Sequence, residues 1–368
     1  MFSTQLYTRI SFLFLSLYFL LFGCAATSSN VERDAIQAIV AQANHEFYLD
    51  ERIWYQDIQA EIVDHTVVLK GEAFFKIPVK GLSRKLQKAG YDYPLIDSVS
   101  YLPEKFQNDF GYGIILDPYV MGRYKPLYIK NEGTEMLYGE PVRLIREHGE
   151  FYQVQSNIGY LGYIPKSSVR TVNLEEWGRY HLGKQAIFDN DVTLESGQVI
   201  IMGSRLPYLG DGHILLANAS EVTLSQEHYK IIDPAANPLR NAIIASAERY
   251  MGLPYVWGGR SSEGVDCSGF VMQSFALNNI YLPRDSDEIA NVGRIIGYPE
   301  WMDAMLPGDL LFFAGSRRMV THTAIYLGAG KVIHSLGSGV QIQSLTPGDP
   351  EYSENLASRF IFAKRIFD

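Results

Sequence analysis

Cysteine and basic residues are both scarce in this sequence. Its 368 residues include two cysteines, Cys24 and Cys267, which excludes a disulfide-rich scaffold. No Cys-x-x-Cys or His-Glu-x-x-His spacing occurs, so no motif indicates a metal site. Lys and Arg number 32 against 41 Asp and Glu, and the net charge of −9 gives no support to nucleic-acid binding. The sequence therefore predicts no metal, no cofactor and no nucleic-acid partner.

The rest of the composition is that of a folded protein. Hydrophobic residues make up 47% and charged residues 20%, which argues against extensive disorder. The 24 tyrosines, 19 phenylalanines and 32 glycines favour short strands and tight turns. The length predicts about two to three domains.

A long apolar run lies at the N-terminus. It extends from Ile10 to Phe22 after the positive charge of Arg9, and it ends in Leu21-Phe22-Gly23-Cys24. This pattern predicts an export signal and is too short to predict a membrane-spanning helix. It resembles a bacterial lipoprotein signal, which implies that residues 1–23 are removed and that Cys24 is lipidated. The chain would then be exported and anchored to a membrane, and Ala25 resembles the residue found in outer-membrane lipoproteins of Gram-negative cells. An uncleaved N-terminal anchor is the alternative.

The chain between this signal and the last domain is predicted to form three small parts. Residues 24–105 contain a tether and an α/β unit, with a helix at 34–47 and then a strand, a helix and a strand at 67–71, 79–89 and 96–102. Residues 106–172 and 173–236 have frequent turn signals and alternating apolar residues, which predict two small all-β barrels. The first barrel resembles the bacterial Src-homology-3-like domain through its segment Gly159-Tyr160-Leu161-Gly162-Tyr163-Ile164-Pro165.

The last predicted domain spans residues 237–368. It follows the linker at 233–238, in which Asn237 can cap a helix that begins at Pro238. Cys267 comes just before an apolar, helix-like run that starts at Phe270, so it is predicted to lie in the first turn of a helix. Backbone N–H groups and the helix dipole stabilise a thiolate there, which makes Cys267 a candidate nucleophile. The alternative is a buried cysteine that acts as a small hydrophobic residue.

Two of the eight histidines, His322 and His334, fall in this domain. They lie in strand-like runs on either side of a Gly-Ala-Gly turn at 328–330, which predicts a β-hairpin. A three-residue loop pairs Leu327 with Lys331 and places both histidines on one face of the hairpin. A two-residue register would place them on opposite faces. Acylation of Cys24 would leave Cys267 without a disulfide partner, so a free thiol and two histidines are available for nucleophilic catalysis.

Six motifs in this domain resemble the NlpC family of cell-wall cysteine peptidases, in the family's order and spacing. They are Trp257-Gly258-Gly259, Asp266-Cys267-Ser268-Gly269-Phe270, Leu282-Pro283-Arg284-Asp285-Ser286, Leu306-Pro307-Gly308-Asp309-Leu310-Leu311-Phe312-Phe313, Thr321-His322 with Ala324-Ile325-Tyr326-Leu327-Gly328, and Val332-Ile333-His334. The resemblance implies an α+β, papain-like peptidase domain, here preceded by the two barrels and the α/β unit. It also implies peptidoglycan stem peptides or muropeptides as substrates, cut between γ-D-glutamate and a diamino acid such as meso-diaminopimelate.

The resemblance also implies a role for individual residues. Cys267 would be the nucleophile, with its backbone N–H in the oxyanion hole, His322 the base and His334 the residue that orients the base. Four further residues match positions near the amino end of the substrate, where an acidic group suits the ammonium of a free L-alanine. These residues are Asp266, Ser268, Asp285 and Ser286. Trp257 would shape the cleft wall.

Some alternatives remain open from the sequence. Asp266 could instead be a helix cap, Arg284 could form a salt bridge, and Glu132 or Glu135 could contribute an acid across the domain interface. An N-acetylmuramoyl-L-alanine amidase of related fold and a non-catalytic wall-binding lipoprotein are the alternative functions. The resemblance to multi-domain endopeptidases implies that the barrels narrow the cleft, so that it accepts short stem peptides with a free N-terminus.

Overall fold

The computed structural model describes residues 30–43, 50–76, 78–105, 111–231, 239–315 and 319–367. The chain divides into two compact units, Met1–Glu104 and Lys105–Asp368. The predicted signal, Cys24 and the linker at 233–238 lie outside the described residues. In the described part of the chain no helix has the length and apolar character needed to cross a membrane.

The first unit is a four-stranded sheet with two helices. Its elements are α1 (30–43), β1 (Gln56–Val63), β2 (Thr66–Ala73), α2 (Val79–Lys88), β3 (Leu95–Asp97) and β4 (Ser100–Tyr101). Strand β1 pairs with β2 antiparallel, and β3 and β4 pair with β2 parallel. The core includes Ile36 and Val40 of α1, Leu86 of α2 and Leu69 of β2. Helix α1 begins four residues before the predicted start at residue 34, and strand β1 was not predicted.

The second unit begins with a seven-stranded sheet. Its strands are β5 (Tyr112–Ile115), β6 (Tyr119–Arg123), β7 (Glu132–Leu137), β8 (Pro141–His148), β9 (Phe151–Gln155), β10 (Leu161–Pro165) and β11 (Val169–Val172), with a 3-10 turn at Lys166–Ser168. The strand order is β11-β5-β8-β9-β10-β6-β7, so β7 and β11 are its two ends. These end strands do not pair with each other in the described residues, so the sheet of the predicted Src-homology-3-like barrel is not closed. The edge of β7 meets the last domain instead, where the Glu135 N–H donates to the Gly258 carbonyl over 2.9 Å.

The next region combines one helix with short strands. The elements are α3 (Leu174–His181), β12 (Gln185–Ile187), β13 (Val192–Thr193), β14 (Val199–Ile200), β15 (Arg205–Gly210), β16 (His213–Leu215), β17 (Glu221–Thr223), a 3-10 turn at Gln226–His228 and β18 (Lys230–Ile231). They form a five-stranded sheet and a separate two-stranded one, and neither closes into the predicted barrel within the described ranges. Helix α3 was not predicted, although Asn173 caps it by accepting from the Glu176 N–H over 2.9 Å.

The C-terminal region packs helices against an antiparallel sheet. The elements are α4 (Arg240–Glu248), β19 (Arg260–Ser261), β20 (Gly264–Val265), α5 (Cys267–Ala276), α6 (Ser286–Ile289), β21 (Arg294–Gly297), β22 (Leu310–Ala314), β23 (Val320–Gly328), β24 (Lys331–Leu336), β25 (Gly339–Ser344), α7 (Glu354–Ala357) and β26 (Phe360–Arg365). The six-stranded order is β21-β26-β22-β23-β24-β25. Phe270 and Phe275 of α5 share a core with Ile325 of β23 and Ile333 of β24. Helix α4 begins two residues after the predicted Pro238.

Candidate active site

Cys267 is the first residue of α5, as the sequence predicts. Asp266 caps the helix by accepting from the Gly269 N–H over 2.7 Å. A side chain at position 269 would place its Cβ 2.1 Å from the Gly259 carbonyl oxygen, so the close approach of helix and loop requires glycine there. This packing explains the glycine of the cysteine motif. In the Trp-Gly-Gly motif a Cβ at Gly259 would instead lie 2.4 Å from the Gly264 carbonyl oxygen.

The two histidines come together on the predicted hairpin. Ile325 pairs with Ile333 and Tyr326 with Val332, which is the register predicted for a three-residue loop. An irregularity at the turn pairs Lys331 with Gly328 instead of Leu327. It does not change which face of the sheet each side chain of the two strands lies on. His322 Nε2 lies 2.9 Å from His334 Nδ1, and both side chains are buried. The prediction that His322 and His334 share one face is therefore confirmed.

A third side chain extends this pair. Gln343 of β25 places its Oε1 3.1 Å from His334 Nε2. Gln343 was not predicted as a site residue, although its strand follows β24 directly and alternation puts residues 341 and 343 on one face of that strand.

The sulfur of Cys267 is contacted by backbone groups. The N–H groups of Ser268 and Thr323 face the sulfur and act to lower the pKa of Cys267. The assigned roles predict that the Cys267 sulfur lies within hydrogen-bond reach of His322 and that His334 lies on the far side of that ring. In the described residues the hydrogen bond of the His322 side chain is the one to His334. Because His322 Nε2 is engaged by His334, Nδ1 is the ring nitrogen that can serve the thiol.

Burial favours neutral groups throughout this site. Burial, and then the Asp266 carboxylate, raise the pKa of Cys267 to about 12. Burial and the neighbouring His334 hold the pKa of His322 well below its usual range, and burial lowers the pKa of His334 to about 4. Burial and the Asp266 carboxylate therefore favour the thiol, against the helix N–H groups that favour a thiolate. Transfer of the thiol proton to His322 would leave the net charge of the site unchanged.

Asp266 is fully engaged inside the protein. Its Oδ1 accepts from Arg284 Nη1 over 2.9 Å, and its Oδ2 accepts from Arg284 Nη2 over 2.7 Å and from the Gly258 N–H over 2.9 Å. Arg284 is 1% exposed. It also donates from Nη1 to the Ser268 hydroxyl over 3.0 Å and from Nε to the Thr134 hydroxyl over 2.8 Å. The structure thus gives Asp266 the helix-cap role and Arg284 the salt-bridge role that the sequence left open, and it holds Ser268 in the same network.

Asp285 differs from Asp266 in its exposure. It caps α6, and its side chain is 34% exposed. Its Oδ2 accepts from the Tyr160 hydroxyl over 2.6 Å, and the same hydroxyl contacts Glu288 Oε2 at 3.0 Å. Tyr160 belongs to the segment that resembles the Src-homology-3-like domain, and no sequence pattern assigned it to the site. Ser286, the next residue of α6, is buried, whereas Trp257 is 62% exposed.

Glu135 joins the first sheet to the last domain. Its Oε2 accepts from the N–H groups of Arg260 and Ser261 over 2.7 and 3.0 Å. Burial raises the pKa of this carboxyl group. Glu135 is therefore occupied by backbone of the last domain, and Glu132, on the same strand, is partly exposed.

A cavity of about 660 Å³ lies on the other side of α5. It is bounded by Met272 and Gln273 of the helix and by residues of the two preceding β regions, such as Tyr138 and Ser204. The first β region is residues 112–172, and the second is residues 185–231. Cys267, His322 and His334 do not line it, so this cavity is separate from the candidate active site.

Comparison with known proteins assigns two domains. Residues 252–356 match the NlpC/P60 family, and residues 133–169 match the bacterial dipeptidyl-peptidase Sh3 domain. These matches confirm the predicted papain-like domain and one Src-homology-3-like domain.

Curated relatives cover more of the chain. A gamma-D-glutamyl-L-lysine dipeptidyl-peptidase of Bacillus subtilis (strain 168) is 29% identical over 238 residues, which are 61% of this chain and 79% of that protein. Dipeptidyl-peptidase 6 of Lysinibacillus sphaericus is 29% identical over 263 residues, which are 63% of this chain and 91% of that protein.

A solved structure shows the same fold. An NlpC/P60 family protein from Bacillus cereus ATCC 10987 superposes with a TM-score of 0.60 at 22% identity, covering 70% of this chain and 100% of that chain.

Proposed function

We propose that the chain, whose residues 252–356 are an NlpC/P60 domain, is a cysteine peptidase that hydrolyses peptidoglycan stem peptides. The bond cut is the one between γ-D-glutamate and the diamino acid that follows it. The observation that carries this proposal is the position of Cys267 at the start of α5, against the strand that bears His322, with His322 hydrogen-bonded to His334. The names of the Bacillus relatives, which are γ-D-glutamyl-L-lysine dipeptidyl-peptidases, support the choice of bond.

The first chemical step is an attack by the thiol on the γ-carbonyl carbon. His322 takes the proton of Cys267 at Nδ1 while the sulfur forms a bond to that carbon. The negative charge that develops on the carbonyl oxygen is stabilised by backbone N–H groups at the start of α5, which include that of Cys267. The imidazolium of His322 then gives its proton to the leaving amine as the C–N bond breaks. A thioester between Cys267 and the γ-carboxyl group of D-glutamate remains.

Hydrolysis of the thioester completes the cycle. His322 removes a proton from water, the hydroxide adds to the thioester carbonyl, and the C–S bond breaks. The sulfur recovers its proton from His322, and the γ-carboxylic acid of the dipeptide is released. Because thiol and imidazole are neutral at rest, the protein has to stabilise separated charges only during these two additions.

Recognition of a free amino terminus centres on Asp285. Of the two predicted acidic residues, Asp266 forms a bidentate ion pair with Arg284. Asp285 is 34% exposed, lies 3.9 Å from the same guanidinium through its Oδ1, and is oriented by the Tyr160 hydroxyl. Glu288 adds a second carboxylate beside Tyr160. An ammonium group suits this negative site. Ser286, the residue after Asp285, and Trp257 of the Trp-Gly-Gly motif would complete the predicted contacts. Because Tyr160 comes from the first β region, that region would form a wall of the cleft and limit it to short peptides.

Anchoring to a membrane is a separate part of the proposal. The sequence from Arg9 to Cys24 supports lipidation of Cys24, which would place the enzyme at the periplasmic face of the outer membrane in a Gram-negative cell. Metabolic labelling with a palmitate analogue tests this proposal. The label should be incorporated into the wild type and lost in Cys24→Ala, and labelling that persists in the variant would contradict it.

The proposed substrate is tested with two matched peptides. One is L-Ala-γ-D-Glu-meso-diaminopimelate with a free amino terminus, and the other carries the same peptide on muramic acid. Mass spectrometry should find L-Ala-D-Glu from the first peptide and little reaction with the second. Release of an intact stem from muramic acid would instead identify an amidase.

A further inference from the structure

The side-chain amide of Gln343 contacts the pair formed by His322 and His334, and its oxygen can only accept a hydrogen bond. Gln343 Oε1 lies 3.1 Å from His334 Nε2, and His334 Nδ1 lies 2.9 Å from His322 Nε2. A neutral imidazole carries one N–H and one bare nitrogen, so a contact with an atom that can only accept places the hydrogen on the ring nitrogen that faces it. The three side chains therefore form a chain in which one assignment determines the next.

Three steps lead from Gln343 to His322. The Gln343 oxygen accepts, so His334 Nε2 must carry the hydrogen and His334 Nδ1 must be bare. The bare His334 Nδ1 then accepts from His322 Nε2, which must carry its own hydrogen. His322 Nδ1 is left bare, and it is the nitrogen that can take the proton of Cys267. Resting on the proposed function, we infer that Gln343 is a positioning residue that holds both histidines in the tautomers required for catalysis.

The opposite amide orientation would have the opposite effect. An N–H of Gln343 facing His334 would make His334 Nε2 an acceptor and put the hydrogen on His334 Nδ1. His322 Nε2 would then accept, and its Nδ1 would carry the hydrogen. A protonated Nδ1 cannot remove a proton from the thiol, so the orientation of one amide decides whether His322 can act as a base.

The strand register sets Gln343 apart from a similar neighbour. Gln341 is directly opposite His334 in the pairing of β24 with β25, whereas Gln343 is opposite Val332. Yet the amide of Gln341 donates to the Leu336 carbonyl over 3.1 Å, and the diagonal Gln343 reaches the ring. The two glutamines share a strand and a face, so Gln341 offers a matched control for changes at Gln343.

The test compares Gln343→Leu, Gln343→Glu and Gln341→Leu with the wild type in the full chain. Long-range ¹⁵N NMR of histidine-labelled protein assigns the tautomer of His322 and His334 without reference to activity. Hydrolysis of L-Ala-γ-D-Glu-meso-diaminopimelate gives kcat and KM. In the wild type both rings should carry the hydrogen on Nε2.

Loss of the acceptor should affect turnover more than binding. We expect Gln343→Leu to mix the tautomers and to lower kcat about 10- to 100-fold with little change in KM, on the scale of lost orienting contacts. Gln343→Glu keeps an acceptor and should retain the Nε2–H tautomers and most of kcat, which also shows that the position tolerates substitution. Gln341→Leu should behave as the wild type.

Two results would overturn the inference. One is a wild-type spectrum in which His322 carries its hydrogen on Nδ1, and the other is a Gln343→Leu protein with unchanged tautomers and kcat. A wild type that shows the expected tautomers and cleaves no stem peptide would instead contradict the proposed function.

Discussion

Arg284 and Asp266 form a bidentate ion pair at the N-terminus of the helix that begins with Cys267. The two contacts are 2.9 and 2.7 Å long, and Arg284 is 1% exposed. Because Arg284 also donates to Thr134 of β7, a single side chain connects the start of the helix to the first β region. The ion pair therefore positions the candidate nucleophile and joins two parts of the fold.

Removing one partner of this ion pair should be costly. Arg284→Met leaves the Asp266 carboxylate buried without its cation, and we expect the free energy of unfolding to fall by about 3–5 kcal/mol. Urea denaturation measures the loss. The matched control is Arg179→Met, since Arg179 pairs with Glu175 on the surface of α3 at 3.4 Å. That change should cost at most about 1 kcal/mol, and equal losses in the two variants would contradict the structural role given to Arg284.

Gly269→Ala should disturb the start of α5. The new Cβ would lie 2.1 Å from the Gly259 carbonyl oxygen, which is backbone and cannot move aside cheaply. We expect lower stability and a large loss of peptidase activity, measured by thermal unfolding and by peptide hydrolysis. Gly178→Ala in α3 is the control, because its Cβ meets nothing within 4 Å. It should stabilise the protein by about 0.5–1 kcal/mol, and a tolerated Gly269→Ala would show that the helix and the loop do not pack as described.

Acid should destabilise the protein through the buried histidines. The pKa of His334 is lowered from 6.5 to about 4 by burial, and that of His322 is also lowered. Between pH 6.5 and 4 the unfolded chain therefore binds protons that the folded chain does not, so stability falls as the pH falls. Each histidine contributes up to about 1.4 kcal/mol per pH unit in this window. His334→Gln should make the pH dependence of the unfolding free energy shallower, and an unchanged slope would show that His334 is not held neutral.

Glu135→Ala should weaken the contact between the first sheet and the last domain. The buried N–H groups of Arg260 and Ser261 would lose their acceptor, at about 1–3 kcal/mol for each. Differential scanning calorimetry should show a lower Tm. Glu132→Ala on the same strand is the control, because Glu132 is partly exposed. If both variants unfold at the same temperature, Glu135 does not stabilise this contact.

Sequence patterns within short segments predicted the helix start and the hairpin of the candidate active site. The helix start at Cys267 and the hairpin of His322 and His334 follow from a change of hydrophobic period and from a glycine turn within short segments. The protonation state was not predictable, since it depends on burial by the whole domain. The ion pair of Asp266 with Arg284 and the contact of Tyr160 with Asp285 join residues that are distant in sequence, and no local pattern encodes them.

In the fold, too, local structure was predictable and contacts between distant residues were not. The alternating strands of the two β regions were predictable, whereas barrel closure was not, because it depends on whether β7 pairs with β11 or with another part of the chain. Here Glu135 of β7 meets the segment near Gly258 instead. Helix α3 was missed even though its local signal, an Asn cap followed by two acidic residues, is present in the sequence.

The most direct test of the central claim is the hydrolysis of L-Ala-γ-D-Glu-meso-diaminopimelate by the wild type and by Cys267→Ala, followed by mass spectrometry. The wild type should release L-Ala-D-Glu and diaminopimelate. Cys267→Ala should retain its thermal unfolding profile and lose at least about 10⁴-fold in kcat, as expected for a missing nucleophile. Equal turnover by the two proteins, or a product cut at another bond, would contradict the assignment of Cys267 as the nucleophile of a γ-D-glutamyl peptidase.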